Sequence, residues 1–252
     1  MLKTNKSGAM VGVIGNKTLH YSAAALCLAL YMGLLVAAIL SGALSFWALP
    51  LGLMAIYCAD TLSGITHFFL DYRRTTPNSG LKELYFYQGN KGSQDYLQKR
   101  QIAMKKISPL ETIVFDFKVH HLSPGALGRR SFLRVILPAM YFITLPSTSL
   151  LLLLHALGWI DGLVSFFLWV VIGALTLAQY AHSCAHRKQI PIVARYLQTL
   201  GVFMTKEQHN SHHLDLGVDF CILNGWANPI VNRIFRFCRQ RGWIFEEGLE
   251  PI

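Results

Sequence analysis

Charge is what this sequence has least of. Only 14% of its 252 residues are Asp, Glu, Lys or Arg, against about a quarter in soluble domains. From Tyr21 to Ala59 there is none at all, and from Val135 to Tyr180 only His155 and Asp161 interrupt the apolar run. Such stretches exclude an ordinary soluble globule. Cysteine is scarce too, and poorly arranged for cross-linking. Cys27, Cys58, Cys184, Cys221 and Cys238 are odd in number and include no CxxC pair, which excludes a disulfide framework and a zinc ribbon. There is no internal repeat, no low-complexity tract and no clear signal cleavage site. The apolar run after Lys17 is too long for a signal-peptide core, so a retained first helix is expected. The net charge of +10 comes with no nucleic-acid motif, and no nucleic-acid partner is expected.

A helix needs about 20 residues to cross a hydrocarbon core, so each apolar block holds two crossings, at about 21–42 and 46–70, and at about 132–154 and 160–182. The expected fold is an all-α integral membrane protein. It has four transmembrane helices in two hairpins and forms a single domain over residues 1–252. Trp47 and Trp159 lie by the two turns, as interfacial aromatics do. All 23 Lys and Arg fall elsewhere: at Lys3, Lys6 and Lys17, between Arg73 and Arg134, or from Arg187 onward. The positive-inside rule then places both termini and the segments 71–131 and 183–252 in the cytoplasm. Within them, Ser93–Lys106 reads as a surface helix. Ser108-Pro109-Leu110-Glu111 is a capping box that starts a helix delivering His120 and His121. Thr205 and Gln208 form a second box, just ahead of His209. From Ile230 to Trp243 apolar residues alternate with arginines, as in a helix lying on a membrane surface or in a solvated basic face near the headgroups.

Against this background the ten histidines stand out. Eight of them form clusters: His67; His120 and His121; His182 and His186; His209, His212 and His213. The topology, derived without them, puts every cluster at the cytoplasmic face. His182 and His186 are four apart and share a helix face, as do His209, His212 and His213 at i, i+3 and i+4. His67 and Asp71 are also four apart. Adjacent His120 and His121 diverge by about 100° on a helix, which suits two ions better than one.

A solitary histidine at an interface is ordinarily a packing residue. Four clusters on one face imply a metal centre. Imidazole suits zinc, copper, iron and nickel, and eight imidazoles exceed the four ligands of a structural zinc site. They match two ions with open positions. Asp60 and Asp71 are carboxylates able to balance charge or hold ligands from behind, and Asp60 is otherwise costly within a spanning helix. Two iron ions with O₂ at such a site would remove hydrogen from an unactivated lipid carbon, giving a double bond, or an alcohol if oxygen rebounds. A b-type haem protein using two to four of these histidines stays open at this stage. So does a zinc hydrolase or a metal-sensing membrane protein.

Ala59-Asp60, Ser63-Gly64 and His67 resemble the AD-x-x-SG-x-x-H signature of Kua/CarF-type lipid desaturases. His120-His121-Leu122-Ser123-Pro124 is similar to that family's HH-x-x-P, His182-x-x-x-His186 to its HxxxH, and Gln208-His209 through His213 to its QHxxHH. Cys221-Ile222 with Asn224-Gly225-Trp226 and Asn228 resembles its closing segment, which makes Asn224 a further candidate for holding the ligands. The resemblance covers most of residues 55–72 and 115–240. It implies four membrane helices, a di-iron centre on the eight histidines, O₂ as co-substrate and a membrane phospholipid substrate. It also implies an external electron donor, a b-type cytochrome or a ferredoxin with its reductase. Plasmanylethanolamine desaturation to the vinyl ether of plasmalogens is the first reaction implied, and acyl desaturation of phosphatidylglycerol the next. Gly201 and Gln208 look more like the acyl-desaturase branch.

Overall fold

The computed structural model describes residues 17–244. Among these, every regular element is helical. Four stretches are long and apolar enough to cross a membrane: Tyr21–Leu40, Ala48–Tyr72, Phe132–Ala156 and Gly162–Ala185. They belong to α1 (Lys17–Leu40), α2 (Ala48–Tyr72), the pair α7 (Phe132–Ala139) and α8 (Leu145–Ala156), and α9 (Gly162–Ala185). The chain is thus a multi-pass membrane protein, with side chains such as Leu40, Leu49, Leu53, Phe142 and Leu150 turned outward. Each span departs from its expected bounds by a few residues. The largest change is at the end of α9, which runs to Ala185 rather than to about residue 182, because nothing in Ser183-Cys184-Ala185 opposes a helix. The expectation that both termini are cytoplasmic concerns ends that lie outside the described residues.

The spans pack through small residues and a few polar pairs. Ala55 and Ala59 of α2 meet Val171, Ala178, Ala181 and Ala185 of α9 in one buried cluster, and small side chains let two helix backbones approach closely. Between α1 and α9, Tyr31 and Trp169 stack with ring centroids 4.8 Å apart. The Tyr31 hydroxyl donates to the Trp169 carbonyl at 3.0 Å, and the Trp169 indole N–H donates back to the Tyr31 carbonyl at 2.9 Å. Gly173 makes room: a Cβ there would lie 2.0 Å from the Tyr31 hydroxyl. Between α7 and α8, Met140–Thr144 winds as a wide π turn just after Pro138. The turn is held by Cys27, whose thiol reaches the Met140 carbonyl at 3.7 Å, and by Thr144 against Thr176 at 2.6 Å.

The two hairpin turns lie together at one end of the bundle. Ser41 Oγ is 3.0 Å from His155 Nε2, and His155 Nδ1 is 2.8 Å from Ser165 Oγ. Because α2 and α9 both begin at that end, their C-termini lie together at the other. There the remaining helices form a cap: α3 (Leu81–Tyr85), α4 (Gln94–Met104), α5 (Pro109–Leu122), α6 (Pro124–Gly128), α10 (Ile192–Thr199), α11 (Lys206–Leu214) and α12 (Asn228–Gln240). α12 seals against α2 through Phe68, Tyr72, Phe220, Val231 and Phe235. α3, α4 and α5 share a separate core of Leu81, Leu84, Tyr85, Tyr96, Ala103 and Phe115, in which each fully buried large side chain contributes about 1.5–3 kcal/mol.

Candidate metal centre

Four helices deliver the clustered histidines. α2 carries His67 and Asp71 in its last two turns. α5 starts at a complete Ser108–Glu111 capping box and ends on His120 and His121. α9 supplies His182, with His186 as its C-cap. α11 starts at a complete Thr205–Gln208 capping box and carries His209, His212 and His213. Both boxes are local signals, and both form as the sequence predicts.

The side chains meet as two tetrads. His120, His182, His186 and His209 form one, and His67, Asp71, His121 and His212 the other; within each, one donor atom per residue lies within 4.8 Å of the rest. His120, His121 and His213 form a further group that spans the two. Adjacent His120 and His121 therefore enter different tetrads, as their divergence on α5 predicts. All eight clustered histidines come together, and Asp71 joins them directly.

The donor nitrogens are set as a metal would require. His182 Nε2 is 2.9 Å from His209 Nε2 and 3.2 Å from His186 Nε2, and His209 and His186 are 3.0 Å apart. His213 Nε2 adds contacts of 3.1 Å to His209 and 3.4 Å to His186. A neutral imidazole has one proton, so nitrogens converging on one point cannot all be satisfied by N–H···N bonds. For ligands about 2.0–2.1 Å from a shared ion, neighbouring nitrogens lie about 2.9–3.4 Å apart, which is the spacing observed.

Backbone carbonyls behind the rings fix their protons. His67 Nδ1–H donates to the Phe220 carbonyl at 2.7 Å, and His212 Nδ1–H to the Val218 carbonyl at 2.7 Å. His120 Nδ1–H donates to the Phe117 carbonyl. In each case the Nε2 lone pair is left facing inward, the tautomer that ligation needs. Those three Nε2 atoms and Asp71 Oδ2 are buried without a hydrogen-bond partner. His67 Nε2 and Asp71 Oδ2 are 3.2 Å apart, within ion-pair reach but outside hydrogen-bond geometry. An orphaned buried acceptor costs about 1–3 kcal/mol, and four converging acceptors are the chemistry of a cation site. The residues present therefore fit bound metal.

Burial keeps His120, His186, His209 and His213 neutral. It holds His120 and His209 well below the usual 6.5, with neighbouring histidines adding to the effect. It lowers His186 to about 4 and His213 to about 3. Neutral imidazole is the ligating form.

The other two candidates lie elsewhere. Asp60 is held by backbone amides of residues 223–227. Asn224, on that same loop, accepts the Trp226 N–H at 3.1 Å. Reading the sequence missed Lys118. It is fully buried, and its ammonium donates to the Asp71 carbonyl, where a cation favours a helix C-terminus. Its one available cue was the i, i+3 spacing to His121. The carbonyls of Phe117, Val218 and Phe220 had no cue, since side-chain identity does not reveal them. Gly128 was missed as well: a Cβ there would fall 2.4 Å from the His186 carbonyl oxygen, so only glycine lets α6 close over that residue.

The family model for the lipid desaturase domain matches residues 108–248, more than half of the chain. That segment contains seven of the eight clustered histidines, and His67 lies before it. No curated protein and no solved structure matches the chain. With the matched segment laid over the tetrads at one end of a four-span bundle, the chain belongs to the lipid desaturase family.

Proposed function

We propose that the two tetrads hold two iron ions and that the protein uses O₂ to desaturate a hydrocarbon tail of a membrane phospholipid. The observation that carries this is the set of inward-facing, unpartnered lone pairs at the end of the bundle. Iron bound there would supply electrons for O₂ activation and hydrogen abstraction. The chain's own residues do the rest. The Phe117, Val218 and Phe220 carbonyls hold three rings in their ligating tautomer. Asp71 brings one negative charge to the second tetrad and none to the first, so the two positions are inequivalent. Burial of His67, His120, His182, His209 and His212 excludes bulk water from the reacting end.

Taking two hydrogens from a lipid while reducing O₂ to two waters requires two further electrons and two protons. An external donor must supply the electrons, and a b-type cytochrome or a ferredoxin with its reductase has the right chemistry. Within the family we place the chain with the Kua/CarF-type desaturases on its histidine motifs. Plasmanylethanolamine is the substrate put forward first, with the vinyl ether as product. An acyl chain of phosphatidylglycerol is the alternative, supported by Gly201 and Gln208. The charge distribution supports a cytoplasmic site for the cap.

Lipid analysis by mass spectrometry of a host expressing the wild-type chain or His186→Ala tests the proposal. A species lighter by two hydrogens, dependent on O₂ and absent in the variant, is expected. A gain of one oxygen would indicate hydroxylation. A Soret band, or zinc without iron in purified protein, would indicate another class. An unchanged lipid profile in membranes that hold the iron-loaded wild-type chain and a competent donor would overturn the reading.

A further inference from the structure

Asp60 is a fully buried carboxylate in the middle of a spanning helix, where a charge is costly and persists only with strong partners. Its partners are main-chain amides and the Cys221 thiol. Oδ1 accepts the N–H groups of Leu223 at 3.3 Å, Asn224 at 3.1 Å and Gly225 at 3.4 Å, and Oδ2 accepts that of Ala227 at 2.9 Å. Successive amides converge on one carboxyl group because the loop turns sharply at Gly225, whose φ is +80°. One helical turn on, Ser63 Oγ accepts the Ile222 N–H at 3.2 Å. Gly64 then lets the loop touch the helix: a Cβ there would lie 2.8 Å from Cys221 Sγ and 3.2 Å from its backbone nitrogen.

This loop is also what holds the histidines from behind. It begins just after Val218 and Phe220, the carbonyls that receive His212 and His67. It also ties down the start of α11, since the Met204 N–H donates to the Leu223 carbonyl at 2.7 Å. Asp60 itself is seven residues from His67, about 10 Å along α2, too far to touch the donor atoms.

We infer that Asp60 is a positioning residue for the second tetrad: by clamping the 221–227 loop to α2 it sets the carbonyls that fix the tautomers of His67 and His212. The consequence for iron rests on the proposed metal site; the clamp itself does not. The first tetrad meets the loop only through His209 at the start of α11 and keeps other supports, His120 on Phe117 and His182 on α9, whereas both ring-orienting carbonyls of the second tetrad adjoin the loop, so loosening it should affect the two positions unequally.

The test uses the purified full chain and the near-isosteric Asp60→Asn. In metal-free protein, hydrogen exchange read by mass spectrometry should show the 223–227 amides protected in wild type and exchanging about tenfold faster or more in the variant, with the spans unchanged. After iron loading, the variant should retain about one ion per chain where wild type retains about two, with the Mössbauer signal of one environment lost. Unchanged loop exchange in a folded variant overturns the inference. Equal loss of both ions with global loosening overturns it too, since that is a merely structural role. Should Asp60→Asn not fold, Ser63→Ala removes the neighbouring anchor and is read the same way. Wild-type protein with the expected exchange pattern but no iron would support the clamp and overturn the metal reading.

Discussion

His67 and Phe220 are joined across 153 residues of sequence by a single hydrogen bond, the imidazole Nδ1–H donating to the carbonyl oxygen at 2.7 Å. The bond leaves His67 Nε2 facing Asp71, the one carboxylate in either tetrad. Asp71→Asn keeps the shape and removes the charge. Iron retention at the second position should fall about 10–100-fold, and desaturation with it, while the first position keeps its ion. Metal analysis during a chelator challenge measures this. Identical retention in both proteins would exclude Asp71 as a ligand or close support.

The acid response follows from the neutral rings. His186 and His213 stand at about 4 and about 3 in the folded chain because burial disfavours their charged forms. Above about pH 6.5 the rings are neutral whether folded or not, and they add no pH dependence. Below it the unfolded chain takes up protons that the folded chain refuses, so stability falls as pH falls towards about 4. Melting of the metal-free protein in detergent should be flat from about pH 8 to 7 and decline through that window. A melting temperature that rises on acidification would contradict the assignment.

Thr205 begins the helix that carries three of the histidines, and its hydroxyl accepts the Gln208 N–H. Thr205→Ala should cost about 0.5–2 kcal/mol and Thr205→Ser much less. Bound iron should leave the alanine variant faster, because α11 frays at the end nearest His209. Equal melting temperatures for the two variants would show that the box does not hold α11.

Gly173→Ala forces a methyl group onto the Tyr31 hydroxyl, 2.0 Å away, with the ring carbon behind it at 3.1 Å. Overpacking of this kind costs about 1–3 kcal/mol. Tyr31→Phe removes the nearer clash, so the double variant should be more stable than the sum of the single effects by about 0.5 kcal/mol or more. Strict additivity in thermal melts would refute the contact.

Sidedness is testable without any activity. An Asn-x-Ser acceptor inserted after Gly158, in a hairpin turn, should be glycosylated in a eukaryotic host, and one inserted after Gly92, in the cap, should not. The reverse pattern would invert the orientation.

Much of this architecture was legible because its signals are local. Ser108 with Glu111 and Thr205 with Gln208 announce helix starts within four residues, and both starts are where the spacing puts them. The divergence of His120 from His121 already separates the two tetrads. What was not legible depends on long-range main chain. Val218 and Phe220 act through carbonyls that any residue would present. Asp60 reads from the sequence as a neighbour of the metals, and its actual partners lie more than 160 residues away. Lys118 resembles any solvent-facing lysine until α5 is packed on α2. The π turn at Met140–Thr144 has only Pro138 to hint at it, and proline more often marks a simple kink.

The span that carries His67 is made early, and the carbonyl that orients its ring is made 153 residues later. During synthesis the first hairpin therefore enters the bilayer with an unfinished half-socket. The nascent chain can acquire no complete second pocket until residue 220 has emerged and folded back onto α2. If the proposed iron fills that pocket, it binds late in biogenesis, and a ribosome stalled before that point would leave the spans inserted around an incomplete second tetrad.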